Sequence, residues 1–180
     1  ALAYVGFPRF VLRMQHVPAL HVETFAAQFV ETGCAPHVRG NAEVLFQQLG
    51  ARYDGSPIVA RNEQAPADDL AGYAPSAVPG GRAPHAWLGE GRGAGDSLYD
   101  GLGLGLTLLR LGPKPPDTAA FAEAAARRAI PFTILDLPDP DIRALYERNL
   151  ALIRPDQHVA WRGDAVPDDA DALLARVTGH

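Results

Sequence analysis

Cysteine is almost absent from this sequence, since Cys34 is the one cysteine among 180 residues. A single thiol excludes a disulfide scaffold, paired-thiol redox chemistry and cysteine-based zinc sites within the chain. It is also typical of the reducing cytoplasm, and we expect that location. A domain of this length buries roughly 70% of its unfolded surface, so its core needs no disulfide or metal to support it.

Long apolar runs and clusters of basic residues are absent as well. No apolar stretch approaches the ~20 residues that a membrane-spanning helix requires, and the first residues lack the order of a signal peptide. The formal net charge is −5, and the cations are Lys114 and fifteen scattered arginines. This distribution argues against a nucleic-acid footprint. We therefore expect neither a membrane nor a nucleic acid among the partners.

An alternation of strand and helix patterns begins after residue 95. A near-continuous apolar run at residues 104–111 is typical of a strand buried on both faces. Asp117 can cap a helix that runs to about Ala129, where Pro131 prevents its continuation. The face of this helix predicted to be buried consists of Phe121, Ala125 and Ala129. Residues 132–135 form the next predicted strand.

The pattern continues with a short helix at residues 142–148 and a pair of strands. Leu150–Ile153 and residues 158–161 face each other across a Pro-Asp-Gln turn, which predicts an antiparallel hairpin. A last helix, which follows a run of aspartates, carries Leu173, Leu174 and Val177. The resulting order, β-α-β-α-β-β-α, predicts an α/β fold of the thioredoxin-like type.

The first half of the sequence is less regular. Residues 10–17 fit a strand, and apolar residues recur at helical spacing within residues 22–30 and 41–49. Ile58-Val59 is predicted to begin a short strand. Residues 61–69 are polar and acidic, and we interpret them as an exposed loop.

Proline and glycine dominate residues 72–95, which therefore cannot form a helix interior. Large aromatic residues such as Trp87 favour an arm that lies on another surface over a solvated linker. We divide the chain into a partly helical extension at residues 1–71, this arm, and a thioredoxin-like domain at residues 96–180. The extension is expected to be the end of a preceding domain, because the sequence opens as if inside one.

Several groups of residues resemble functional sites, and each has a simpler explanation. The glycines of residues 101–105 precede a strand, whereas a dinucleotide-binding loop leads into a helix. His16 and His21 are five residues apart, so they do not share a helical face as metal ligands spaced by four do. Helix capping and solvation explain the aspartates of residues 164–171. Residues 112–117, where a thioredoxin carries its dithiol, contain no cysteine. We therefore predict no catalytic, cofactor-binding or metal-binding residue in this chain.

Four segments are specific as a set, through their order and spacing. They are YDGSP at residues 53–57, PGGRAPHAWL at 79–88, SLYD at 97–100 leading to LTLL at 106–109, and RPDQHVAWR at 154–162. Together they resemble the C-terminal part of the FAD-dependent aromatic hydroxylases, the group that includes phenol hydroxylase and the polyketide hydroxylases. The resemblance covers the chain from about residue 50 to its end.

The resemblance implies that the intact protein is a monooxygenase that uses FAD and NAD(P)H to hydroxylate an aromatic or polyketide substrate. In that family a Rossmann-type flavin domain comes first, a substrate-covering middle domain follows, and a thioredoxin-like domain without catalytic cysteines ends the chain. None of the family's flavin motifs occurs in this sequence. The resemblance therefore implies that FAD is bound outside this chain and that residues 1–71 are a remnant or the end of the middle domain.

The chain would then pack against the flavin domain or against a second subunit, as in a homodimer. Residues 79–88 are the predicted contact, because tryptophan and arginine are the residue types that anchor interfaces. The interface candidates are Arg82, His85, Trp87, Arg154 and Trp161. The alternative is a stand-alone, non-catalytic thioredoxin-like module that binds or scaffolds other molecules.

Overall fold

The structure is a computed structural model of the chain. It describes residues 50–60, 63–64, 75–88 and 95–180. The strand predicted at residues 10–17 and the helices predicted at residues 22–30 and 41–49 lie outside the described residues. The same holds for His16, His21 and Cys34, and for most of the loop predicted at residues 61–69.

In the part of the chain that the structure describes, four strands form one mixed sheet. The strands are β1 (Leu106–Leu111), β2 (Phe132–Leu137), β3 (Leu150–Ile153) and β4 (Val159–Gly163), and their order in the sheet is β2-β1-β3-β4. β1 is parallel to β2 and antiparallel to β3, and β3 is antiparallel to β4. The predicted α/β fold and its hairpin are confirmed.

Three α-helices accompany these strands. They are α1 (Ala119–Arg127), α2 (Pro140–Tyr146) and α3 (Ala170–Thr178). Asp139 begins α2 by accepting the Asp141 N–H at 2.8 Å, and Asp169 begins α3 by accepting the Ala172 N–H at 2.8 Å. Gly179 ends α3 in the left-handed conformation, with φ of 84°. None of the described helices combines the length and the apolar character that crossing a bilayer requires.

Both faces of the sheet are covered, which explains the continuous apolar sequence of its central strand. One core cluster contains residues of α1 and α3, and it includes Leu106, Leu108, Leu152, Phe121 and Leu174. The other contains residues of α2 and of the arm, and it includes Leu109, Leu111, Ile153, Tyr146 and Ala83. Successive β1 side chains point to opposite faces of the sheet. Odd- and even-numbered positions of the strand must therefore both be apolar.

β1 is shorter than the run at residues 104–111 from which it was predicted. Leu104 is 100% exposed, and the strand begins at Leu106. A Cβ on Gly105 would lie 2.0 Å from the Pro131 carbonyl oxygen, which also accepts the Leu106 N–H at 2.9 Å. The glycine therefore permits a close approach of two backbones at the entry to the strand, as its position before a strand predicted.

The ends of several elements differ from their predicted positions. α1 begins after Thr118 rather than at Asp117, although the Asp117 carboxylate accepts the Ala119 N–H at 3.0 Å. Ala129 lies beyond the helix, exposed and with φ of 53°, so Ala124 takes its predicted place on the buried face. β2 extends two residues beyond its prediction, and α2 begins and ends two residues earlier.

The described part of the arm, residues 75–88, contacts the hairpin. The Gly80 N–H donates to the Val159 carbonyl at 2.7 Å, and the Val159 N–H donates to the Gly81 carbonyl at 2.9 Å. These bonds satisfy the backbone groups of Val159 at the start of the outer edge of β4, which would otherwise be unpaired. The strand predicted at Ile58-Val59 is not formed. Ile58 lies in a turn there, and Ala60 donates one hydrogen bond to β4.

Candidate interdomain contact surface

The four segments that carry the family resemblance meet at one end of the sheet, near the turn of the hairpin. The Ala83 N–H donates to the Gln157 carbonyl at 2.8 Å, and the Tyr53 N–H donates to the Gly80 carbonyl at 2.9 Å. We name the contacting side chains at this end the belt. It consists of Tyr53, Arg82, His85, Trp87, Tyr99, Arg154 and His158. Four of the five interface candidates are therefore brought together.

Arg82 occupies the centre of the belt. Its Nη2 donates to Gln157 Oε1 at 2.7 Å, and its guanidinium carbon lies 5.2 Å from the centroid of the Tyr99 ring, within the range of a cation–π contact. Its Nε is buried and has no hydrogen-bond partner. Arg82 thus connects the arm to the hairpin turn and to the 3₁₀ helix Leu98–Gly101, and part of its donor capacity is unused.

His85 packs within the belt. Its Nε2 shares a hydrogen bond with Ser97 Oγ at 3.0 Å, and its ring meets the Trp87 ring edge-on with centroids 4.9 Å apart. Burial lowers the pKa of His85 and outweighs the opposing effect of the Asp100 carboxylate. The ring is therefore mainly neutral at pH 7, and His85 is a packed, hydrogen-bonded histidine.

Two tyrosines fasten the arm through its carbonyl groups. Tyr146 Oη donates to the Pro84 carbonyl at 2.8 Å, and Tyr99 Oη donates to the Ala83 carbonyl at 2.6 Å. Burial raises the pKa of Tyr99, so its hydroxyl remains protonated and able to donate. The partner of Tyr146 is 62 residues away in the sequence, so no local pattern identifies it.

Removing the Tyr146 hydroxyl should loosen the arm. We expect Tyr146→Phe to lower the free energy of unfolding by about 1–2 kcal/mol, because the buried Pro84 carbonyl loses its donor. Urea denaturation followed by circular dichroism measures the change. Tyr99→Phe is the matched control, and its effect should be smaller because Tyr99 is only partly buried. Equal effects of the two changes would contradict this assignment.

The other end of the belt is more open. The Tyr53 and His158 ring centroids lie 4.7 Å apart, and the Arg154 guanidinium carbon lies 5.7 Å from the Tyr53 centroid. Arg154 Nη2 also donates to Asp156 Oδ2 at 3.1 Å. Tyr53 is 43% exposed. An exposed aromatic ring held between a histidine and an arginine is well suited to contact a partner.

Trp161, the fifth interface candidate, lies apart from the other four. It is 8% exposed, belongs to the core cluster that contains α1 and α3, and has its ring centroid 5.6 Å from that of Phe121. In the described residues it is a core side chain, and it offers a partner only a small exposed edge. Its predicted interface role stays a prediction.

A cluster of charged residues on the other side of the hairpin was not predicted. Arg162, 3% exposed, donates from Nε and Nη2 to the two Glu63 carboxylate oxygens at 2.6 and 2.9 Å. Its Nη1 donates to the Tyr146 carbonyl at 3.1 Å and lies 2.9 Å from Glu147 Oε2. Within the loop predicted at residues 61–69, the Glu63 side chain is therefore partly buried, at 23% exposure. Glu63 and Arg162 are 99 positions apart in the sequence, which explains why sequence patterns missed this pair.

The described residues do not fit the phosphates of FAD. A dinucleotide site needs a glycine-rich turn that leads into a helix N-terminus. The glycines of residues 101–105 lead into β1 instead. The Pro131 backbone occupies the space beside Gly105, so no phosphate fits there. The N-termini of α2 and α3 are occupied by the side chains of Asp139 and Asp169.

The aspartates before α3 have protein partners. Asp169 caps the helix, and the Asp171 carboxylate accepts Arg128 Nε at 3.0 Å. The Arg128 guanidinium lowers the pKa of Asp171. Capping was the preferred interpretation of these residues, and it is confirmed for Asp169. Across the described ranges, no group of three or more histidine, cysteine or acidic side chains is placed to hold a metal ion.

Comparison with known proteins identifies the family. The family described as "Aromatic-ring hydroxylase, C-terminal" matches residues 76–180, more than half of the chain. The chain belongs to this family. The match begins in the arm and continues to the last residue, so it includes most of the belt and the whole sheet.

The curated relatives of this hydroxylase domain are several times longer than the chain. Tetracenomycin A2 monooxygenase-dioxygenase from Streptomyces glaucescens is 32% identical over 164 residues, which cover 78% of this chain and 28% of that protein. Phenol 2-monooxygenase from Pseudomonas sp. (strain EST1001) is 28% identical over 146 residues, which cover 71% of this chain and 23% of that protein. The chain thus spans about a quarter of their length.

Solved structures of flavin enzymes contain the same fold. RebC with reduced flavin, a rebeccamycin biosynthetic enzyme, matches 85% of this chain and 26% of its own with a TM-score of 0.66 and 36% identity. Aklavinone-11 hydroxylase, in complex with FAD and aklavinone, matches 93% of this chain and 34% of its own with a TM-score of 0.60 and 27% identity. The predicted resemblance to aromatic and polyketide hydroxylases is confirmed.

Proposed function

We propose that this chain is the C-terminal portion of an FAD- and NAD(P)H-dependent monooxygenase that hydroxylates an aromatic or polyketide substrate. Within it, the chain packs against the flavin domain or joins two subunits and takes no part in the chemistry. The flavin would supply that chemistry when bound, by activating oxygen for transfer to the substrate ring. The scarcity of cysteine supports the cytoplasm as its location.

Family membership carries this proposal. The family is defined by the C-terminal region of ring hydroxylases, and the relatives named above are monooxygenases four times longer than the match. Two features of the described residues agree with a supporting role. They do not fit the phosphates of FAD, and the sheet end bearing the belt presents an aromatic and cationic surface.

The test compares the flavin content of the 180-residue chain with that of the longer protein encoded by the same reading frame. Each is mixed with FAD, desalted and examined by visible absorption, and NAD(P)H oxidation is followed with aromatic substrates. We expect the longer protein to be yellow and active and the chain to be colourless. Flavin retained by the chain would place the cofactor site here. A longer protein that neither binds FAD nor oxidises NAD(P)H would favour the stand-alone binding module.

A further inference from the structure

Arg82 differs from the nearby arginines Arg52 and Arg154, because no carboxylate of the described residues pairs with it. Arg52 pairs with Asp54 at 3.3 Å, and Arg154 pairs with Asp156 at 3.1 Å. Within the described ranges Arg82 has only neutral partners, the Gln157 amide and the Tyr99 ring, and its Nε is buried without a partner. A guanidinium that is partly removed from water without a counter-charge is costly, so its present surroundings do not account for it.

The position at which the described residues begin indicates which part of the intact protein could meet Arg82. The polypeptide enters the described body at residues 50–53, where Tyr53 already contacts His158 in the belt. Whatever precedes residue 50 is therefore attached at the edge of this surface. The relatives are about four times longer than the matched region, and the proposed function requires a domain that precedes the match.

We propose that Arg82 binds a carboxylate side chain of the domain that precedes this one in the intact hydroxylase, with Trp87 and Tyr53 packing around the contact. The inference rests on the proposed function, because it requires that preceding domain. A guanidinium recognises a carboxylate by a planar pair of charge-assisted hydrogen bonds, and an aromatic surround that excludes water strengthens such a pair.

The scarcity of lysine permits a direct test by zero-length cross-linking. Lys114 is the one lysine of residues 1–180, so Arg82→Lys adds a second lysine amine to this part of the protein. A carbodiimide joins amines to carboxylates in contact. The full-length protein is cross-linked and digested, and mass spectrometry of the peptides locates the new bond. We expect a cross-link from position 82 to a peptide that precedes residue 50. Arg127→Lys on α1 is the control, and its cross-link should stay local, at Asp171.

Hydrogen exchange of the intact protein gives a second readout. Arg82→Gln should speed exchange of residues 79–88 about tenfold or more, as expected for the loss of a charge-assisted pair. Gln157→Ala, which removes the hydrogen-bond acceptor of Arg82 within the domain, should have a smaller effect. Equal acceleration by both variants, without a cross-link to the preceding region, would overturn the proposal.

Other outcomes of the cross-linking identify a different occupant. A bond between differently labelled copies of the protein would assign Arg82 to a homodimer and overturn the proposal. Loss of FAD from Arg82→Gln, without a cross-link, would assign it to a flavin phosphate and also overturn it. The proposed function can fail separately, since a cross-link to the preceding region of a flavin-free protein would support the contact but not the monooxygenase.

Discussion

Replacing Trp161 with alanine is expected to lower the free energy of unfolding by about 3–5 kcal/mol. The indole belongs to the core cluster that contains α1 and α3 and lies close to Phe121. It also covers Gly163, where an added Cβ would lie 2.5 Å from the Trp161 ring. Deleting the ring removes apolar burial and leaves a cavity that β4 and α1 cannot close without moving the sheet.

The chain provides its own control for this experiment, because its other tryptophan is Trp87. Trp87 is partly exposed in the belt, and Trp87→Ala should cost on the order of 1 kcal/mol. Urea titrations at equal protein concentration, followed by far-UV circular dichroism, measure both variants. A loss for Trp161→Ala no larger than that for Trp87→Ala would place Trp161 at the surface and restore it as an interface candidate.

The sheet could be predicted from the sequence because its signals are local. The run that forms β1 is apolar at both parities, since both faces of the strand are covered. The hairpin turn has a local signal too, because Pro155 and Asp156 are residue types that favour turns. The errors lie at the ends of elements, where local patterns compete with tertiary contacts. Leu104 is apolar like the residues of β1, but it precedes the close approach of Gly105 to Pro131 and lies outside the strand.

The contact surface could be predicted only in part, because long-range contacts assemble it. The residue types that anchor interfaces identified Arg82 and Trp87, but the convergence of the arm, Tyr53 and the hairpin turn has no local signal. Trp161 shows the limit of that argument, since a tryptophan anchors a core as well as an interface. The contact between Glu63 and Arg162 was missed for the same reason as the belt, because both depend on distant segments.

Replacing Arg162 with methionine is expected to lower the free energy of unfolding by about 2–3 kcal/mol. Removing one partner of a buried ion pair costs about 3–5 kcal/mol when the other charge is left buried. The cost should be smaller here because solvent reaches Glu63, whose side chain is 23% exposed, and Glu147, whose side chain is 65% exposed. The Tyr146 carbonyl also loses its guanidinium donor.

A double variant separates the stranded charge from the lost packing. Glu63→Gln in the Arg162→Met background removes the carboxylate left without its guanidinium, so the double variant should be more stable than the sum of the single changes predicts. Arg154→Met is the matched control on the same hairpin. It should cost less than about 1 kcal/mol, because the pair of Arg154 with Asp156 lies near the surface. Additive single changes, or equal costs at Arg154 and Arg162, would show that the Glu63 contact does not hold residues 63–64 to the domain. If the coupling is found, residues 63–64 are anchored to β4 through the Glu63 carboxylate.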